Sequence, residues 1–269
     1  MSPAPLPRRL RIGAVSYLNA RPLTWALHRQ PERWDVRYDL PSACARLLHA
    51  GEVDLGLIPS VEYLERPDYR LVPGVGIGSY GAIRSVALYT GREIQDVRSI
   101  ALDTSSRTSA ALVKVLCARR FGIQPNFQPH HPSLEAMLAS ADAALVIGDP
   151  ALELDPDMYG VRKIDLGTEW TALTGLPFVY AAWTGRPGAL DESGVQALQD
   201  AQVAGVADVV GIATHYAQGR PGIQALAESY LRDNVRYAMG PDEMAGLQLF
   251  LDWAAELGIG QARRTVTVY

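Results

Sequence analysis

Residues 10–23 read LRIGAVSYLNARPL, and the change of pattern inside this stretch decides the fold class. Leu10–Val15 is an apolar run of strand length. Asn19–Arg29 then sets Leu23, Ala26 and Leu27 at helical spacing, with Pro22 in its first turn. A strand that passes through a polar turn into a helix is the opening of an α/β unit, and the unit recurs. Trp34–Tyr38 alternates as a strand. Pro41–Ala50 begins on proline and stops at Gly51, as a helix does, and Asp54–Ile58 is a buried-strand run that ends at Pro59. This rhythm predicts a mainly parallel sheet with right-handed crossovers.

Arg70–Gly76 and Ser85–Thr90 give two further strands, separated by the glycine-rich Gly74–Gly81. A second α/β series follows, with strands at Ser99–Leu102, Asn126–Gln128 and Ala143–Ile147 and helices at Arg107–Phe121 and Ser133–Ala139. Leu176–Thr184 is another strand, and from Asp191 the pattern is helical, over about 191–215, 219–232 and 241–257. The expected architecture is two lobes, 1–88 plus 185–269 and 89–184, joined by strands near 83–90 and 177–184. Ligand then binds in the cleft between them.

Composition narrows the class. The chain has 269 residues, 48% of them apolar and 20% charged, with a net charge of −4 that gives no reason to expect nucleic acid. Cys44 and Cys117 are its only cysteines and neither lies in a metal-ligand spacing. The start, Met1–Arg9, shows no apolar leader, and no run reaches membrane-spanning length. The expectation is a cytoplasmic protein, monomer or homodimer, that meets neither nucleic acid nor membrane. A Walker motif and a G-x-S-x-G elbow are both absent. Gly74–Gly81 does not open a helix as a dinucleotide site requires, and the five histidines show no metal spacing.

Candidate site residues gather where strands end and helices begin, the place at which open α/β sheets meet ligands. Ser16, Tyr17, Asn19 and Arg21 put a hydroxyl, a phenol, an amide and a guanidinium on one turn. Ser16 or Asn19 as a helix cap accounts for one of these residues but not for the cluster. Ser105, Ser106, Arg107 and Thr108 open the first helix of the second series, where unpaired N–H groups and the helix dipole favour an anion; a plain Ser/Thr cap is the alternative. Ser60 ends one strand and Ser85 begins another. Gly148 and Asp149 follow Ala143–Ile147, and Asp149 reads as a base, a cap before Pro150, or an orienting partner.

Arg11–Leu23 resembles the N-terminal signature of the chorismate dehydratases of the futalosine route to menaquinone. Asp54–Tyr63, the Ser85 segment, Asp103–Ser109 and Val146–Asp149 continue the resemblance in order. It implies a two-lobed, type II periplasmic-binding-protein-like fold in an enzyme that is not exported. The implied reaction is loss of water from chorismate to give 3-[(1-carboxyvinyl)oxy]benzoate. A sister enzyme that forms 1,4-dihydroxy-6-naphthoate carries a Pro-x-Pro-Asn-Asp stretch that is absent here. Chorismate is a dicarboxylate, so two anion receptors are expected, at 105–108 and at Ser85. Aromatisation drives the elimination, so no cofactor or metal is required. Asn19 is expected to hold the substrate, and the base is either Asp149 or the substrate's own enolpyruvyl carboxylate. A non-catalytic sensor of a small carboxylate would use the same turns without turnover.

Overall fold

The structure, a computed structural model, describes residues 9–261 and 263–269, so most of the start on which the leader reading rests lies outside the described residues. Two sheets form the molecule. The six-stranded sheet has the order β11-β4-β10-β3-β1-β2, with β1 Leu10–Val15, β2 Trp34–Asp39, β3 Leu55–Pro59, β4 Arg70–Ser79, β10 Phe178–Gly185 and β11 Arg236–Met239. The five-stranded sheet has the order β7-β6-β8-β5-β9, with β5 Val86–Thr90, β6 Ser99–Asp103, β7 Asn126–His130, β8 Ala143–Ile147 and β9 Arg162–Asp165. The first sheet carries α1 Arg21–Thr24, α2 Pro41–Ala50, α7 Glu192–Ala207, α8 Val209–Ala217, α9 Pro221–Ser229 and α10 Pro241–Glu256. The second carries α3 Arg107–Leu116, α4 Leu134–Ser140, α5 Gly148–Glu153 and α6 Leu166–Thr174.

Each sheet has three strands that pair in parallel, and the others pair antiparallel, which corrects the mainly parallel expectation. β1 runs parallel to β2 and β3, and β6 to β7 and β8. β10 is antiparallel to β3 and β4, and β5 to β8 and β9. The inserted antiparallel strands are those next to the crossings between lobes. Sheet membership also moves the boundaries: β5 belongs to the second lobe and β10 to the first, so the crossings are 80–85 and 175–177. Both strands are buried along their whole length, and such runs do not reveal which neighbours they pair with. The strand expected at Arg70–Gly76 runs on through the glycine-rich stretch to Ser79. A Cβ at Gly76 would meet Met239 Sδ at 2.8 Å and one at Gly78 the Phe178 carbonyl oxygen at 2.9 Å, so neighbouring strands press onto bare backbone.

The outward crossing is clamped. Arg84 has φ +67, uncommon outside glycine. The N–H groups of Ile83 and Arg84 donate to the two Asp165 carboxylate oxygens at 3.1 and 2.6 Å, and Lys163 Nζ donates to the Arg84 carbonyl at 2.7 Å. The end of β9 thereby holds the chain as it passes between sheets. Among the described residues no helix is long and apolar enough to cross a membrane.

Candidate active site between the lobes

The strand β1 ends at Val15 and the chain turns through Ser16 and Tyr17 into a 3₁₀ turn, Leu18–Ala20, before α1; the continuous helix expected from Asn19 is broken here. Opposite, β8 delivers Gly148, and β6 delivers the Ser105–Ser109 turn into α3. These junctions meet around a small cavity of 40 Å³. Its polar lining is Tyr17, Asn19, Ser106, Ser109, Gly148 and Tyr180; Val15, Ile77, Val86 and Ile147 supply apolar walls. A pocket for a small molecule usually holds at least about 300 Å³. The lobes are therefore drawn together in this structure and must part to admit a small molecule of ordinary size.

Closure is held by bonds between lobes. Asp149 Oδ1 accepts the Leu18 N–H at 2.9 Å, Tyr17 Oη donates to Ser105 Oγ at 3.3 Å, and Thr108 Oγ1 accepts the Val61 N–H at 3.0 Å. Arg107 pairs at 3.1 Å with Glu62, a carboxylate only 1% exposed that also bonds His49 at 2.7 Å. Gly148 has φ +67, and a Cβ there would stand 2.7 Å from the Tyr17 ring. Glycine is needed both for the backbone turn and for the ring laid against it.

Asn19 is the distinctive residue. Its amide is within hydrogen-bond reach of the Tyr230 hydroxyl, yet its Oδ1 is buried without a partner. A buried acceptor left unpaired costs about 1–3 kcal/mol, so a group that lines a cavity in this state is set to receive a donor from a ligand. Burial pushes the Tyr17 phenol up, raises Tyr180 far above the ordinary phenol range, and moves Asp149 up to about 6. At neutral pH both phenols are protonated donors.

The structure thus brings Tyr17, Asn19, Ser106 and Gly148 onto the cavity and leaves the other candidates elsewhere. Ser16 is exposed and faces a separate cavity beside Arg21. Ser60 donates to the Val179 carbonyl at 2.7 Å, and Ser85 is bonded to Tyr230 at 2.7 Å. Arg107 is engaged by Glu62, Thr108 by Val61, and Ser105 by Tyr17. Asp149 grips the Leu18 backbone beside the cavity and does not line it. In this closed arrangement the Ser85 hydroxyl faces Tyr230 and not the cavity. Tyr180 was missed, a lone phenol in an otherwise apolar strand, and Ser109, in the first turn of α3 at the end of the Asp103–Ser109 junction, was not among the candidates.

The sequence model of the menaquinone-biosynthesis family matches residues 10–256. The chorismate dehydratase of Thermus thermophilus is 32% identical over 262 residues, covering 90% of this chain and 93% of that protein. The chain belongs to the chorismate dehydratase family. Its fold is that of periplasmic binding proteins. The alkanesulfonate-binding protein of Xanthomonas axonopodis pv. citri superimposes with a TM-score of 0.71 at 18% identity, covering 98% of each chain. A Candida albicans protein described as having the generic periplasmic-binding-protein fold reaches 0.66 at 11% identity, covering 97% of this chain and 98% of that one. In this family member the cavity lies between the two sheets, at the carboxyl ends of β1, β3 and β8.

Proposed function

We propose that this chain removes water from chorismate to give 3-[(1-carboxyvinyl)oxy]benzoate, acting as a carbon–oxygen lyase in menaquinone synthesis. The observation that carries the reading is the unpartnered Asn19 Oδ1 on the interlobe cavity, in a member of the chorismate dehydratase family. On opening, the cleft admits the dicarboxylate. One carboxylate takes the Arg107 and Thr108 N–H groups at the start of α3, where the helix dipole favours negative charge, with the Ser106 and Ser109 hydroxyls turning to it from the 3.0 Å bond they make with each other. Tyr180 donates from the opposite wall, joined by Tyr17 when the ligand takes the place of Ser105 as its acceptor, and Asn19 Oδ1 receives the C4 hydroxyl, fixing the ring as the lobes close.

In the elimination the C3 proton leaves to a base, its electron pair forms the new ring double bond, and the C4 hydroxyl departs as water on taking up the proton that the base has removed. The lining holds an amide, hydroxyls and protonated phenols but no carboxylate, imidazole or amine. An amide is hardly basic, so the base that this lining favours is the substrate's own enolpyruvyl carboxylate. Asp149 then serves as a positioning residue, holding the Leu18–Ala20 turn and with it Asn19.

Asn19 substitution tests the reading. Asn19→Asp sets a carboxylate against an anionic substrate and should lower kcat/KM about a hundredfold or more, the scale of one oriented group, while the melting temperature stays near wild type. A stable Asn19→Asp protein with wild-type turnover would remove Asn19 from the chemistry.

A further inference from the structure

The turn that shapes the central cavity has a second, outward side. Ser16, Arg21, Trp25, His28, Tyr38 and His215 line a separate cavity of 370 Å³ between α1, the end of β2 and α8. It is within the size range of small-molecule sites, unlike the closed interlobe space. Nothing in the proposed elimination uses it.

Its chemistry is specific. Arg21 Nη1 donates to His215 Nδ1 at 2.9 Å, and the guanidinium lies 5.3 Å from the centre of the Tyr216 ring. No described carboxylate stands within ion-pair distance of Arg21, so its charge is held in place without being neutralised. Arginine can only donate, so His215 Nδ1 accepts and its Nε2 carries the proton, a second donor. Trp25 is pinned by its indole N–H to Asp208 at 2.7 Å and meets the His215 ring edge-on at 5.4 Å. Tyr38, 39% exposed, is tied through its hydroxyl to His28 at 2.8 Å. A fixed cation and an imidazole N–H sit beside two braced aromatic rings.

We propose that this cavity is a second binding site, for a small aromatic carboxylate, with the carboxylate on Arg21 and His215 and the ring against Trp25 and Tyr38. The planar fork of arginine matches a carboxylate, and the aromatic walls favour a flat ring over a bare inorganic anion. Arg21 follows Asn19 by two residues, so this second site lies on the outer side of the turn that carries Asn19.

Benzoate is the probe, titrated by calorimetry into wild type and variants, with inorganic phosphate and cyclohexanecarboxylate as comparison ligands. Benzoate should bind wild type and Asn19→Asp with similar Kd. Arg21→Gln should raise Kd at least tenfold, the loss of a charge-assisted carboxylate contact. His215→Gln, an exposed substitution, should raise it severalfold and decides the matter if Arg21→Gln does not fold. Four results would overturn the proposal: no saturable benzoate binding, unchanged binding in the folded pocket variants, loss of binding in Asn19→Asp, or phosphate or cyclohexanecarboxylate binding as tightly as benzoate.

Discussion

Asp149→Asn separates the two roles open to that carboxylate, and its effect can be worked from the structure. Burial raises the Asp149 carboxyl from 3.8 to about 6, against the opposing pull of the Leu18 N–H and the Arg21 charge. At about 1.4 kcal/mol per pKa unit, keeping it ionised in the folded protein costs up to about 3 kcal/mol. Because the folded value lies above the unfolded one, the protein carries none of this cost below pH 4, where the carboxyl is protonated in both states, and bears it in full once pH has risen through about 6. Asparagine keeps the oxygen that accepts the Leu18 N–H and carries no charge. Asp149→Asn should therefore be more stable than wild type at pH 7.5, by roughly 5–10 °C in melting temperature for a chain of this size, and the two should converge near pH 4. Turnover should stay within about tenfold of wild type, since loss of a general base costs on the order of 10²–10⁴. Thermal melts across pH, with steady-state kinetics at pH 7.5, make the measurement. A variant less stable than wild type at pH 7.5 would refute the burial argument, and a loss beyond about a thousandfold in kcat would make Asp149 the base.

Two further substitutions probe the cavity walls. Gly148→Ala forces a side chain into the left-handed region at a cost of about 1–2 kcal/mol and displaces the Tyr17 ring, so melting temperature should fall and KM rise; wild-type values for both would show that the turn relaxes freely. Ser106→Ala removes the cap that accepts the Ser109 N–H, worth about 1 kcal/mol, and also a cavity hydroxyl. A raised KM beyond the stability loss is expected, and a lowered melting point with unchanged KM would leave Ser106 a cap alone.

The elements legible in the sequence were those whose ends carry punctuation. Leu10–Val15, Pro41–Ala50 and Ala143–Ile147 are found with those bounds because a polar turn, a proline with a following glycine, or a glycine limits each apolar run. The pairing of β5 and β10 was not legible, since a run buried on both faces carries no record of its neighbours. β11 went unread in the gap between two helical stretches because four residues are too few to set a period. At the site, the strand-to-helix junctions named the right turns. They could not tell which hydroxyls were already taken: Ser60, Ser85 and Thr108 are bonded to Val179, Tyr230 and Val61, residues between 47 and 145 positions away. Arg107 is drawn off by Glu62 in the same way. What distinguishes Asn19 from these is the lack of a partner for its Oδ1, a fact of three-dimensional packing.

The central claim is tested most directly by mixing the purified protein with chorismate in the presence of a chelator and following the products by mass spectrometry. The account requires chorismate to disappear faster than in buffer and an aromatic acid lighter by one water to appear in equal amount. Chorismate consumed no faster than in buffer, or turnover that depends on an added metal, would contradict it.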